Sequence, residues 1–465
     1  MWPSGGGNAI RPRMREQRPR CLVLGLDGLP LSLAKSLALE GDLPNLARLA
    51  LDPEAAKIEA ELPELSPVNW TSFATATGPG QHGIFGFTRI DPASYELSMT
   101  DASQVKAPTI FERLTERGLT STVINLPAAY PVKAIRGTLI SGFVAPEMSR
   151  AVHPRLLASY LSKQNYLIEA DTTRGAADPD HLLAQLRQTL RSREYALDLL
   201  WKGGDFDLFV LVLTETDRIM HFFFPALEDP SHPLHAAFME LLALWDGLIG
   251  KFLGLYDALP EPKRLLVLAD HGFARLRAEV DLNAFLLREG LLRLSPDAKD
   301  EWDGRAILPH QSAAFALDPG RVYIHAKERF ARGVFHQYVA AGLRAELREK
   351  LLALAFEGEK VMEAVYFPEE IYDGPCLRDA PDLICVGAPG FSLTGKFNRT
   401  DIFAPPEKYG RFGCHAAHGA IFLDRLDSQD RRDGRETRIE RVRDVGAAAL
   451  DFLGVKTHTP SGHGL

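Results

Sequence analysis

The sequence lacks any apolar run of the roughly 20 residues that a helix needs to span a bilayer. Its first twenty residues are rich in glycine, proline and arginine, and they contain no apolar segment of the kind found in signal peptides. We therefore expect residues 1–20 to form a disordered tail. We also expect a cytoplasmic protein that has no membrane partner.

Cysteine and surplus positive charge are also scarce. The 4 cysteines show no paired short spacing, which argues against a disulfide framework or a cysteine-rich zinc site and favours a reducing compartment. The formal net charge of −8 argues against nucleic-acid binding, because that activity usually requires a basic face. The chain has 465 residues, 46% of them apolar and 25% charged, which is typical of a globular protein with ample core material.

Three short apolar segments are each followed closely by an acidic residue. Asp27 ends CLVLGLD, Asp217 follows the segment 208–213, and Asp270 follows 265–269. Continuous apolar runs of this length are typical of strands buried in a parallel sheet. With amphipathic helices between them, these strands predict a doubly wound α/β domain over residues 21–465. In such sheets, ligands bind at the carboxyl ends of the strands.

Histidines accompany two of these acids. Asp217 and His221 are four residues apart and share one face if their segment is helical. Asp270 and His271 are adjacent and can serve one centre only at a sharp turn, which Gly272 allows. Carboxylate and imidazole ligands suit a borderline-soft divalent metal. Two alternatives remain open: a helix N-cap for the first acid, Asp27, and a simple Asp–His hydrogen bond for the second.

The segment 61–87, ELPELSPVNWTSFATATGPGQHGIFGF, places a hydroxyl at the start of a predicted helix. At that position the oxygen of Ser66 lies beside unpaired N–H groups and the positive end of the helix dipole, which favours a bound anion. A serine is a poor nucleophile unless another group activates it, and the acids and histidines above supply candidates. Thr71 and Ser72 are rival hydroxyls, and a structural role is expected for His82.

These residues belong to a longer ordered pattern. It comprises Leu24-Gly-Leu-Asp27-Gly, Leu43-Pro-Asn-Leu, Ser66-x-x-Asn69-Trp-Thr-Ser-Phe, Pro79-Gly-x-His82-Gly-Ile, Asp217-x-x-x-His221, Asp270-His271-Gly and Gly413-x-His415-x-x-x-Gly419. The pattern resembles the alkaline phosphatase superfamily, and more narrowly its type I phosphodiesterase/nucleotide pyrophosphatase branch and the bacterial phosphohydrolases or phosphomutases grouped with it.

The resemblance implies an alkaline-phosphatase-like fold, a mainly parallel sheet between layers of helices. We expect the weakly patterned block 273–375 to include an insertion that forms a cap. The resemblance also implies two divalent metal ions, zinc or manganese. The implied ligands of one ion are Asp27, Asp270, His271 and the Ser66 oxygen, and those of the other are Asp217, His221 and His415. Ser66 matches the nucleophile, and Asn69 matches a donor to a phosphoryl oxygen. His418 competes with His415, although the glycine spacing favours His415.

We therefore expect a metal-dependent phosphoric-ester hydrolase, a phosphodiesterase or phosphomonoesterase, acting on a small molecule through a phosphoserine on Ser66. Serine, where this branch usually has threonine, weakens any preference for diesters. A phosphomutase on the same core and a non-catalytic binding protein on a phosphatase fold remain alternatives. A sulfatase is disfavoured because Ser66 is not followed by the x-Pro-x-Arg pattern. The sequence predicts no oligomeric state.

Overall fold

The computed structural model of the protein describes residues 18–40, 42–203, 205–426 and 438–456. Most of the tail predicted over residues 1–20 lies outside the described residues. Among the described helices, none is long and apolar enough to cross a membrane.

The strands are, in chain order, β1 (Arg20–Leu26), β2 (Ala56–Ile58), β3 (Thr88–Ile90), β4 (Leu97–Met99), β5 (Ser121–Leu126), β6 (Gly137–Ser141), β7 (Val152–His153), β8 (Leu208–Leu213), β9 (Lys263–Leu268), β10 (Gly272–Arg275), β11 (Ala278–Asp281), β12 (Ala314–Leu317), β13 (Arg321–Ile324), β14 (Ala355–Phe356), β15 (Glu359–Lys360), β16 (Met362–Tyr366), β17 (Leu383–Gly387), β18 (Phe391–Thr394), β19 (Phe403–Ala404), β20 (Gly413–Ala416) and β21 (Ala420–Leu426).

The α-helices are α1 (Leu31–Glu40), α2 (Pro44–Ala50), α3 (Ser66–Thr75), α4 (Pro79–His82), α5 (Ile110–Glu116), α6 (Met148–Ala151), α7 (Arg155–Lys163), α8 (Pro179–Lys202), α9 (Glu215–Glu228), α10 (His235–Asp257), α11 (Leu282–Arg288), α12 (Gln337–Leu352), α13 (Pro368–Ile371), α14 (Pro406–Tyr409) and α15 (Val442–Phe452).

An eight-stranded sheet forms the centre of the molecule, in the order β2-β21-β9-β1-β8-β5-β6-β7. Its five middle strands, β9 to β6 in that order, run parallel to one another. Strands β21 and β7 run antiparallel to them, and β2, which is antiparallel to β21, runs in the same direction as the middle strands. Helices flank the sheet on both faces. The predicted mainly parallel α/β fold is therefore confirmed.

Burial explains why these apolar runs form central strands. Every residue of β8 is buried, and so is every residue of β1 and β9 except the first. Helix α8 covers the sheet with Leu182, Leu186 and Leu190, which recur at helical spacing and are all buried. One group of helices, α3, α5 and α15, packs together, and α10 packs separately against α2, α8 and α9.

A second apolar core lies over the sheet's carboxyl edge. It is built on two small sheets, β12-β13-β17-β16 and β18-β11-β19, and on α11 and α12. Buried residues of this core run from Ala278 to Ile402, and Tyr95, from the β3–β4 hairpin, packs among them. We call this unit the cap. It extends beyond the 273–375 block in which an insertion is predicted.

Candidate active site

The predicted site residues meet where three adjacent parallel strands end. Asp27 directly follows β1, Asp217 lies in the first turn of α9 just after β8, and Asp270 is two residues beyond β9. Strand β1 pairs with both of the others, Leu26 opposite Leu213 and Gly25 opposite Leu268. The parallel register therefore brings the three carboxylates to one edge of the sheet.

Ser66 is the first residue of α3, with Leu65 at the N-cap, where its extended backbone leads into the helix. The Ser66 hydroxyl oxygen lies 3.3 Å from His271 Nε2. In the next turn of α3, Trp70 Nε1 donates to Asp27 Oδ2 at 2.9 Å. The absence of a side chain at Gly25 makes room for this indole ring, since an added Cβ would lie 2.5 Å from it.

Asp27, Asp270 and His271 form one cluster beside Ser66. His271 Nε2 lies 3.9 Å from Asp27 Oδ1 and 3.5 Å from Asp270 Oδ2. All three side chains are fully or almost fully buried, and the Gly28 N–H donates to the other oxygen of Asp270 at 3.1 Å.

Asp217, His221 and His415 form a second cluster, which adjoins the first. Asp217 Oδ1 lies 3.3 Å from His415 Nε2 and 3.4 Å from His221 Nε2. His415 reaches the site from β20, which pairs with β10, so that His415 lies opposite Phe273. Asp217 Oδ1 is also 4.0 Å from His271 Nε2, and the His271 and His415 rings stack with centroids 3.7 Å apart. The two clusters form one continuous site.

The Nδ1 atoms of His271 and His415, which face away from the carboxylates, make hydrogen bonds that determine where the Nε2 lone pairs point. His271 Nδ1 lies 3.0 Å from the Gly272 carbonyl, and His415 Nδ1 lies 2.8 Å from the Glu64 carbonyl. A carbonyl oxygen can only accept, so Nδ1 carries the hydrogen in both rings and Nε2 presents its lone pair to the carboxylates. Histidine ligands of metals are oriented by this kind of contact.

The carboxylates have oxygens that the protein does not satisfy. Within the described part of the chain, no group donates a hydrogen bond to Asp27 Oδ1, Asp217 Oδ1 or Asp270 Oδ2, although all three atoms are buried. Each of them faces His271 Nε2 at 4.0 Å or less. Buried acidic oxygens without donors are destabilising unless a cation binds them. The set of oxygen and nitrogen atoms therefore fits divalent metal ions.

The electrostatics of the site reflect crowded negative charge. Burial raises the pKa of Asp270 to about 7, and the nearby Asp217 charge contributes. Burial and the charges of Asp270 and Asp217 likewise hold the pKa of Asp27 well above its usual range. Burial would also raise the pKa of Asp217, but His221 and Arg218 outweigh it and lower this pKa well below its usual range. Cations in the site would relieve the repulsion among these acids.

Asn69 does not join the other predicted residues. Its amide Nδ2 donates to the carbonyls of Glu61 and Leu65 at 3.2 and 3.1 Å, and its Oδ1 accepts from the Glu61 N–H at 2.7 Å. The side chain is fully buried, and both of its N–H groups are engaged. These contacts hold the turn that leads into Ser66, and the role of Asn69 as a donor to a phosphoryl oxygen stays a prediction.

The rival residues lie elsewhere. Ser72 Oγ donates to the Val68 carbonyl and contacts His82 Nε2 at 2.9 Å, deep within the protein. His418 is exposed, and its two ring nitrogens contact the carboxylates of Glu59 and Glu363. Neither contact includes a residue of the two clusters.

A cavity of about 370 Å³ opens above the clusters, between the sheet edge and the cap. Ser66, Asp217, His221 and His415 line one side, and cap residues such as Trp302 and Lys396 line the other. A larger cavity of about 700 Å³ is lined by residues such as Arg321 and Arg329 and by none of the clustered residues. The smaller cavity is therefore the one at which chemistry is expected.

Arg218 and Glu169 are among the further charged residues that line the smaller cavity. The sequence offers a signal for Arg218, because it follows Asp217 in the turn beyond β8. It offers none for Glu169, which lies in a loop before α8 and whose contact with Arg218 spans 49 positions of the chain.

The family model described as type I phosphodiesterase/nucleotide pyrophosphatase matches residues 21–420. The chain belongs to this family. The predicted resemblance is confirmed, and membership supports hydrolysis of a phosphoric ester as the broad class of activity. A sequence search of curated proteins found no significant match.

Solved structures related to this phosphodiesterase-family chain share its fold. Phosphonoacetate hydrolase from Sinorhizobium meliloti 1021, solved with phosphonoformate, is 17% identical, with a TM-score of 0.61 over 94% of this chain and 96% of that chain. Murine ectonucleotide pyrophosphatase/phosphodiesterase 5 is 15% identical, with a TM-score of 0.52 over 95% of this chain and 96% of that chain. The human form of this protein is 13% identical, with a TM-score of 0.52 over 96% of this chain and 97% of that chain.

Proposed function

We propose that the protein hydrolyses a small phosphoric ester with two divalent metal ions and Ser66 as the nucleophile. One observation carries this proposal. The Ser66 hydroxyl, at the N-terminus of α3, lies 3.3 Å from His271 Nε2, within a site where Asp27, Asp217 and Asp270 each have one buried oxygen without a donor among the described residues. A nucleophile and the acids and imidazoles that activate it are thus adjacent.

The division of ligands follows the two clusters. Asp27, Asp270, His271 and Ser66 would hold one ion, and Asp217, His221 and His415 would hold the other. The donors are oxygen and nitrogen without sulfur, which suits zinc or manganese. Bound there, divalent cations would make the Ser66 hydroxyl more acidic and offset charge on the phosphoryl group.

The reaction has two halves. Ser66 Oγ attacks phosphorus in line, and a new O–P bond forms as the bond to the leaving oxygen breaks. The hydroxyl proton of Ser66 passes to solvent water, and the leaving oxygen takes up a proton from solvent. Water then cleaves the phosphoserine, restores the Ser66 hydroxyl and releases the phosphoryl product. The partial positive charge at the start of α3 stabilises negative charge beside Ser66 during both halves.

The cavity is suited to a small substrate. Its volume of about 370 Å³ is at the lower end of the range for small-molecule sites. Among the related structures, one protein is named for phosphonoacetate, and an inactive threonine-to-alanine variant of the murine protein was solved with AMP. These names define a test panel of a phosphonate, a phosphomonoester and a phosphodiester.

The test removes metal from the protein, adds back zinc or manganese, and measures the rate of substrate turnover before and after the addition. The panel comprises p-nitrophenyl phosphate, bis-p-nitrophenyl phosphate and phosphonoacetate, and each reaction is followed by product analysis. We expect phosphoester turnover that needs metal and that Ser66→Ala abolishes while two metal ions per chain remain. Ser72→Ala, which alters a hydroxyl in the same helix, is the control. Full activity in Ser66→Ala would refute the nucleophile, and a product that retains the phosphoryl group at a new position would indicate a mutase.

A further inference from the structure

Arg218 is a cation in the wall of the cavity that the proposed reaction does not yet use. It follows Asp217 in α9 and lines the cavity together with Ser66. Its side chain is only 15% exposed, so it is part of the wall and not a mobile surface group.

Three contacts fix the plane of its guanidinium group. Nε donates to Glu169 Oε1 at 3.0 Å, and Nη1 donates to Asp217 Oδ2 at 2.8 Å. The central carbon lies 4.6 Å from the ring centre of Phe143, which in turn packs edge-on against Phe87 at 5.9 Å. The group is therefore held in one orientation before any ligand binds.

The same contacts leave donors available. A guanidinium has five N–H bonds, and the two contacts above use one on Nε and one on Nη1. The described residues provide no acceptor for the Nη2 hydrogens. Since Arg218 keeps its charge at any working pH, these N–H groups offer a planar, charged fork in a cavity that receives an anion.

The contacts of Asn69 favour a donor other than this residue. Both N–H groups of its amide are engaged by the carbonyls of Glu61 and Leu65, so neither is directed at a phosphoryl oxygen in this structure. In phosphoryl transfer, negative charge is spread over three equatorial oxygens, which need donors besides the metal ions. A guanidinium fork matches two such oxygens, whereas a lysine ammonium is only a point charge.

We propose that Arg218 binds the non-bridging oxygens of the transferred phosphoryl group and that Glu169 is the positioning residue that orients it. This inference rests on the proposed function, and it assigns the phosphoryl-binding role to Arg218 in place of Asn69. The competing account is that Arg218 is only structural and holds Asp217 in place by their hydrogen bond. The two accounts differ in whether anion binding depends on Arg218 once the metal ions are in place.

The experiment measures the affinity of the zinc- or manganese-loaded protein for inorganic phosphate by calorimetry, with metal content determined on the same samples. We expect Arg218→Met to weaken phosphate binding roughly 10- to 100-fold, the loss typical of charge-assisted hydrogen bonds. The phosphate affinity of Arg218→Lys should lie between those of wild type and Arg218→Met, because lysine keeps the positive charge but lacks the paired N–H donors of a guanidinium group. Arg264→Met is the matched control, because Arg264 is similarly buried, at 10% exposure, and is paired with Asp424 at 2.6 Å, and neither residue lines the cavity.

Substitutions of Glu169 provide a second test, because they leave the contact between Arg218 and Asp217 intact. Glu169→Ala should weaken phosphate binding about 3- to 10-fold at full metal content, and Glu169→Gln, which keeps an acceptor for Nε, should recover most of the loss. Phosphate affinity equal to wild type in both Glu169→Ala and a metal-loaded Arg218 variant would overturn the inference while leaving the proposed function intact. If the wild-type protein with metal neither binds phosphate nor turns over an ester, the proposed function itself fails.

Discussion

The Nε2 atoms of His221 and His415 lie 3.0 Å apart. His415 Nδ1 donates to the Glu64 carbonyl, so its Nε2 presents a lone pair toward His221. Burial lowers the pKa of His415 to about 3, and the neighbouring His271 contributes, so this ring stays neutral. Two imidazole nitrogens and Asp217 Oδ1 thus converge within 3.4 Å of one another, an arrangement that a shared cation stabilises.

Replacing His221 or His415 with alanine, or Asp217 with asparagine, should reduce the bound metal from two ions per chain to one, because each change removes a ligand of the same cluster. Elemental analysis after dialysis against metal-free buffer measures the stoichiometry. His418→Ala is the control, since this exposed histidine contacts Glu59 and Glu363 instead. An unchanged metal content would remove the altered residue from the site.

Metal removal should lower thermal stability as well as activity. Without cations, the buried carboxylates of Asp27, Asp217 and Asp270 repel one another and have unsatisfied oxygens. Ions that bind only the folded state stabilise it in proportion to the logarithm of their concentration over Kd. We expect the Tm to fall on chelation and to rise again with added zinc or manganese. A Tm that does not respond to metal in the wild type would contradict the site.

Gly25 is predicted to be essential for the position of Asp27. In Gly25→Ala the new Cβ would lie 2.5 Å from the ring of Trp70, whose Nε1 donates to Asp27. Overpacking of this kind costs about 1–3 kcal/mol, and the displaced indole should also weaken metal binding. Chemical denaturation and metal titration test both effects.

The control for Gly25 is Gly247, which is exposed in the middle of α10. A Cβ at Gly247 would meet no atom within 4 Å. Gly247→Ala should therefore stabilise the protein by roughly 0.5–1 kcal/mol, through helix propensity alone. Equal effects of the two substitutions would show that the packing of Trp70 against Gly25 is unimportant.

His82 should contribute to the pH dependence of stability. Burial lowers the pKa of His82 from 6.5 to about 3, with a smaller contribution from Arg443. Between pH 6.5 and about 3, the imidazole of His82 is protonated in the unfolded chain but stays neutral in the folded protein. Its contribution to the free energy of unfolding is therefore fully present above pH 6.5 and is lost as the pH falls toward 3. The maximum slope from one such group is about 1.4 kcal/mol per pH unit.

The measurement is the free energy of unfolding at several pH values between neutral and 4.5 for wild type and His82→Asn. Asparagine retains an acceptor for the Ile84 N–H, which His82 Nδ1 accepts at 3.1 Å, but it does not titrate. The variant should be less stable at neutral pH and should lose stability less steeply on acidification. Parallel curves for the two proteins would contradict the assignment.

Much of the site was predictable because local sequence places each acid. Asp27, Asp217 and Asp270 follow apolar strands closely, and adjacent parallel strands end at the same edge. His221 shares a helix face with Asp217, and Gly272 permits the turn beside His271. In each case a short segment and one topological rule are enough.

The remaining features depend on contacts that no local pattern encodes. Asn69 has the chemistry of a phosphoryl donor, but its amide bonds back to the carbonyls of Glu61 and Leu65, which are determined by the path of the preceding loop. The Arg218–Glu169 pair joins a helix to a distant loop. The cap includes Tyr95 from a hairpin that precedes the rest of the cap by nearly two hundred positions. Such tertiary pairings are set by the whole fold.

The most direct measurement is anomalous diffraction from crystals of the metal-loaded protein at the absorption edge of the bound metal. We predict two peaks per chain. One should lie among Asp27, Asp270, His271 and Ser66, and the other among Asp217, His221 and His415. A single peak, or peaks that lie away from Ser66, would contradict the two-metal account.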